Sequence, residues 1–273
     1  MDKVTYIIPI HSYNKETAKY FKRAISSIAA LENSEHDKVM LVGPSNVIEK
    51  AKLDYNIPNE LILTVNEGKT DFFSQINAAA FNCVTPYFSI LEFDDVYKPY
   101  WNTVAQEYGS NGASVLIPIQ EIYNEKGEAV GIVNAMAWSP SFANSKNEET
   151  ENGSGNGLGY IDIDCLDTFS DFFLTGSLFK TEDFLSVGGL KPSFGAVAWL
   201  EFLYRMAYHG KLIYVVPRIA YEHIVGRKDS FHEEVSTTVT AEAFETLTKL
   251  AKQEYFFKEE RNIKVFDEPE EIN

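Results

Sequence analysis

Apolar positions along the chain fall into short continuous runs and into runs spaced three and four apart, and the two kinds alternate. Val4–Ile10 is β-branched and aromatic and is stopped by Pro9 and polar neighbours, which predicts a buried strand. Thr17–Leu31 carries apolar residues at Ala18, Phe21, Ile25, Ile28 and Leu31, the spacing of one helical face. Lys38–Val42 is a second strand closed by Gly43-Pro44, and Leu61–Val65 a third. Asp71 stands where a helix reaching Phe81 needs its N-cap. Tyr87–Phe93 is a fourth strand. Strand, helix and strand repeated at this spacing predict an α/β fold whose parallel strands are joined by right-handed crossovers.

The second half is more mixed. Ala113–Gln120 reads as a fifth strand, and Glu121–Ala135 as a hairpin turning at Asn124-Glu125-Lys126-Gly127. Phe172–Phe179 is strand-like, Phe194–His209 helical, Lys211–Val216 extended, and Thr240–Phe257 a long amphipathic helix. Between them Asn144–Gly159 is rich in Asn, Ser, Glu and Gly. It buries too little apolar surface to offset the entropy of ordering and is expected to be mobile, as a lid or as a surface excursion.

Composition narrows the class. A length of 273 residues suits one large domain or two small ones, and 45% hydrophobic residues supply a substantial core. The net charge of −16, with no Lys/Arg cluster, argues against a protein that grips phosphate backbones. Part of the acid is local: Lys258-Glu259-Glu260 and Asp267–Glu271 make the C-terminal end an acidic tail. No apolar run approaches the roughly 18 residues a membrane span needs. The chain enters its first strand without a basic segment or small-residue cleavage site, so the expected location is cytoplasmic. Cys83 and Cys165 have no metal or redox spacing and read as buried thiols.

The chemistry concentrates at Tyr87–Pro99. An apolar strand ends in Glu92, Asp94 and Asp95, three carboxylates within four positions. Burying them unpaired would cost several kcal/mol each, so they belong where the strand emerges, held together by a shared cation or solvated on an acidic loop. Strand ends of open α/β sheets are also where ligands bind.

Five segments together have a familiar order. Val4–His11 resembles the opening strand, and Leu91–Pro99 the metal-binding "DxD" segment, of family-2-type nucleotide-sugar glycosyltransferases of the GT-A fold. Val187-Gly188-Gly189-Leu190 is similar to their "vGGF" turn. Leu200–Pro217, with Arg205, Gly210 and Pro217, resembles the helix and strand that follow, and Tyr221-Glu222-His223 their late histidine. The resemblance implies a Rossmann-like nucleotide-binding half at about 1–110, an acceptor half at about 111–235 and a mixed central sheet. The helix and acidic tail at 236–273 fall outside it. It further implies Mn2+ or Mg2+ held by Asp95 and His223, with Asp94 as a metal or donor contact and Glu92 near the ribose or a metal-bound water. Carboxylate and water ligands suit either ion, and an imidazole tilts the set toward manganese. The nucleotide of the sugar donor would lie over Pro9, Ile10, His11 and Ser12, read by Asp71 and Asn77, with Arg227 and Lys228 meeting the diphosphate. Asp71 as a helix cap, Asn77 as an exposed helical position and His223 as an ordinary hydrogen-bonded histidine remain open alternatives.

Two departures from the pattern bear on function. After the second strand, where the family carries an acidic residue, this chain has Gly43-Pro44-Ser45-Asn46, which leaves the donor's base unspecified. Where the family carries an acidic pair before its arginine, this chain has Ala198-Trp199. Glu201 is the nearest carboxylate: it would be the general base of an inverting transfer, or it would pair with Arg205 four residues on. Trp138 and Trp199 could face a sugar acceptor or lie in the core. The resulting expectation is a metal-dependent inverting glycosyltransferase acting on an unspecified acceptor: a glycan, a protein or modified nucleic acid. The alternatives are a GT-A-fold binding or structural module without catalysis and, third, a nucleotidyltransferase.

Overall fold

The computed structural model describes residues 3–54, 60–64, 71–144, 157–227 and 239–256. Its first half alternates β1 (Val4–Pro9), α1 (Lys15–Ala29), β2 (Lys38–Gly43), α2 (Ser45–Asp54), β3 (Glu60–Thr64), α3 (Phe72–Phe81) and β4 (Tyr87–Ile90). After β5 (Val96–Tyr97) and α4 (Trp101–Gly109), β6 (Val115–Asn124) and β7 (Ala129–Val133) form a hairpin. Then follow α5 (Pro140–Asn144), β8 (Tyr160–Ile161), α6 (Ile163–Thr168), β9 (Leu178–Lys180), α7 (Thr181–Ser186), α8 (Ala198–Tyr208), β10 (Ile213–Val225) and α9 (Ala241–Phe256).

The strands form one sheet in the order β3-β2-β1-β4-β9-β6-β10-β5, with β7 on β6 and β8 on β10. β3, β2, β1 and β4 run parallel, β9 pairs antiparallel with both β4 and β6, and β10 runs parallel to β6. The sheet is therefore mixed, as expected, with the parallel run β3-β2-β1-β4 forming its first half.

Alternation along β1 splits the core into two layers. Ile7 packs with Phe73 and Ile76 of α3, Phe184 of α7 and Phe202 of α8. Tyr6 and Ile8 face the other side, with Phe21 and Ile25 of α1, Ile48 of α2 and Trp101 of α4. Burial on both faces explains why β1 reads as an unbroken apolar run. The helices start where side chains can take their free amides: Asn14 accepts from Glu16 and Thr17 at 2.8 and 3.0 Å, and Asp71 from Ser74 at 2.8 Å.

Two segments differ from expectation. Only Leu178–Lys180 of the strand-like run Phe172–Phe179 is a strand. Gly176 adopts φ +77°, and a Cβ there would meet the Tyr221 ring at 2.3 Å, so the chain bends away before β9. Helix 194–209 begins instead at Ala198, after a 3₁₀ segment (Pro192–Val197) interrupted by Gly195 at φ +46°. The expected mobile stretch lies, for 145–156, outside the described residues, as do Lys228 and the acidic tail. No helix among the described residues is long and apolar enough to cross a membrane.

Candidate active site

β4 delivers the chain into a tight turn in which Asp95 N donates to the Glu92 carbonyl at 3.1 Å, turning both carboxylates to the same side. β10, arriving from the other half, brings His223. Ligand atoms of Glu92, Asp95 and His223 all lie within 4.8 Å of one another. Asp95 is fully buried: one carboxylate oxygen meets His223 Nδ1 at 2.8 Å, and the other accepts from the Ile224 amide at 2.9 Å. Asp94 turns aside and accepts from Arg227 Nε at 2.6 Å, with that guanidinium 4.6 Å above the Phe93 ring.

The electrostatics follow from crowding these charges out of water. Burial, then Asp95, pushes the Glu92 carboxyl up to about 8, against the pull of His223. Asp94 is also raised, by burial and Asp95, with Arg227 opposing. Burial disfavours the charged His223 ring, but Asp95, through its charge and hydrogen bond, outweighs that and holds it up to about 10. Two carboxylates and an imidazole in this geometry fit a hard divalent cation, whose uptake would displace the protons they hold.

The other expected site residues fall in different places. Pro9 is buried at the end of β1, and His11 is exposed with its ring edge-on to Phe93 at 5.6 Å, beside the carboxylate turn. Asp71 caps α3. Asn77 bridges α3 to the Gly188-Gly189 turn, donating to Leu190 O at 2.7 Å and accepting from Leu190 N at 2.8 Å. Glu201 is buried against Arg205 at 2.5 Å, with Lys191 at 3.3 Å from its other oxygen. Arg205 in turn donates to the carbonyls of Val187 and Gly189 at 2.6 and 2.5 Å. Trp138 belongs to the core, its indole donating to Val215 O at 3.0 Å.

A cavity of about 880 Å³ has Glu92 and His223 among its walls. Trp199 and Leu200 of α8 line it, and so does Phe244 of α9, whereas Glu201 does not. Segment 170–175 supplies a further wall through Asp171, Phe172, Phe173 and Thr175. That segment is fastened by two buried amides. Phe173 O accepts from Gln120 Nε2 at 3.1 Å and Asn134 Nδ2 at 2.9 Å, and Phe173 N donates to Asn134 Oδ1 at 3.0 Å. Sequence reasoning missed these residues because aromatic character made the segment look like a strand.

By sequence the chain matches no family model and no curated protein. By structure it is similar to S. aureus TarS 1–349 in complex with UDP-GlcNAc, with a TM-score of 0.64 and 12% identity over 92% of this chain and 66% of that one. Similarity to the TarS 1–349 crystal structure gives a TM-score of 0.57 and 11% identity, over 97% of this chain and 75% of that one. The chain has the GT-A glycosyltransferase fold.

Proposed function

We propose that this protein is a metal-dependent glycosyltransferase that moves a sugar from a nucleoside-diphosphate donor to an acceptor hydroxyl, inverting the anomeric carbon. The observation that carries the reading is the convergence of Glu92, Asp95 and His223 at the end of β4 in this fold. These three would hold Mn2+ or Mg2+, which, when bound, supplies Lewis-acid neutralisation of the diphosphate leaving group.

The chain's own residues take the remaining work. Asp94 holds Arg227 beside the site, so that a guanidinium stands ready for a phosphate oxygen without searching for its conformation. His11 and Pro9, at the end of β1 next to Phe93, offer a surface for the nucleoside. Asp71 and Asn77 have their side chains committed to backbone groups and support the fold around the site. Glu201 acts through Arg205, which ties α8 to the glycine turn. The TarS complex makes UDP-GlcNAc the first donor to try.

A catalytically silent binding module is the second reading, and Trp199 lining the cavity at the family's acidic position favours it. Thermal shift with nucleotides and nucleotide sugars, with and without Mn2+, tests donor binding. A specific donor at a hundredfold excess over Kd stabilises by ~2.7 kcal/mol. Donor cleavage with Mn2+ then separates the two readings: binding without any turnover favours the silent module, and no metal-dependent binding rejects both.

A further inference from the structure

The cavity beyond the cation site is walled by Met136, Phe172, Phe173, Trp199 and Phe244, and no lysine or arginine lines it among the described residues. An acceptor with an anionic nucleophile would find no counter-charge there. The walls instead suit a neutral hydroxyl carried on an apolar or aromatic body. Such a hydroxyl reacts only if a nearby base removes its proton as the new bond forms. Trp199 stands where that carboxylate is expected, and Glu201 is sealed in its pair with Arg205.

Among the described lining residues the cavity has two carboxylates, Glu92 and Asp171, and Glu92 belongs to the cation site. We propose that Asp171 is the catalytic base, a deduction that rests on the glycosyltransferase reading. Its position is built rather than incidental. Gln120 and Asn134, both buried, clamp Phe173, whose ring lies 5.8 Å from that of His223. Asp171, two residues before Phe173, lines the same cavity as Glu92 and His223. It is exposed and accepts from Ser170 Oγ at 3.2 Å, so a proton taken up there can pass on to solvent.

In the step, the acceptor O–H bond breaks and its proton goes to the Asp171 carboxylate. The freed electron pair forms the bond to the anomeric carbon. The bond from that carbon to the diphosphate breaks, and its electron pair leaves with the nucleoside diphosphate.

The test uses the full chain with Mn2+ and a panel of UDP-, GDP- and dTDP-linked sugars, with water and benzyl alcohol as acceptors. For a donor the wild type consumes, Asp171→Asn should lower turnover by ~10²–10⁴-fold, the usual contribution of general-base catalysis. Donor KM and Tm should stay as in wild type. Unchanged turnover, or a raised donor KM at constant kcat, would overturn the assignment alone. A wild type that consumes no donor would overturn the glycosyltransferase reading, and this assignment with it.

Discussion

Replacing Glu201 with glutamine removes a charge from a place that water does not reach. Its carboxylate has 0% of its side chain exposed, and its partner Arg205 has 3%. Glutamine keeps the shape and one acceptor oxygen but leaves the guanidinium buried without a counter-charge. Removing one partner of a buried pair costs ~3–5 kcal/mol, and the retained oxygen places this change near the low end, at ~3 kcal/mol. At ~2.1 cal/mol/K of unfolding entropy per residue, a chain of 273 residues should lose about 5 °C in Tm. Differential scanning calorimetry reads that shift directly. A double-mutant cycle with Arg205→Met should return a coupling of roughly 2 kcal/mol. Mn2+-dependent donor binding should survive, since Glu201 itself does not line the cavity. A Tm within 1 °C of wild type, together with a hundredfold loss of transfer at constant donor affinity, would refute the reasoning and return Glu201 to the reacting atoms.

Three further outcomes are expected. Asp95→Asn should abolish Mn2+ binding by calorimetry, while Tm without metal moves by no more than a few degrees, because one of three crowded carboxylates is neutralised. Mn2+ affinity should rise with pH: Glu92, held up to about 8, and His223, up to about 10, keep their protons at neutral pH and must release them to bind the ion. A pH-independent affinity between 6 and 9 would contradict this. Asn77→Ala removes both bonds to Leu190 and should cost about 2 kcal/mol by urea unfolding, with donor affinity unchanged.

The first half was legible because its strands are buried on both faces and its helices on one, so apolar spacing reports geometry directly. Asp71 shows the limit of the same logic: the sequence pattern marks a polar residue before a helix, and the fold uses it on Ser74 N. Glu201 and Arg205 were ambiguous for a related reason, since an i, i+4 pair on a helix looks the same whether it faces a cavity or the core. The cavity wall at 170–175 was not legible at all. Its shape depends on Asn134 and Gln120, 39 and 53 positions from Phe173, which satisfy its backbone in place of a sheet ladder. Side-chain amides acting at that distance leave no periodic trace in the sequence.

The carboxylate turn, by contrast, announces itself through a charge problem whose two solutions balance. Glu92, Asp94 and Asp95 bring three negative charges beside one permanent cation, Arg227, and one imidazole. Without metal, the protons held by His223 and Glu92 at neutral pH cancel the remaining charge. With a divalent ion, both protons can leave and the total is again zero. Counted over the described residues, neither state buries a net charge, so the arrangement would be tolerated both empty and filled. An acidic loop kept for solubility would need no histidine delivered from a strand 128 residues away, and it would sit in water rather than beneath it. The exchange of two protons for one ion is therefore the physical property that would separate a cation site from surface acid in this chain.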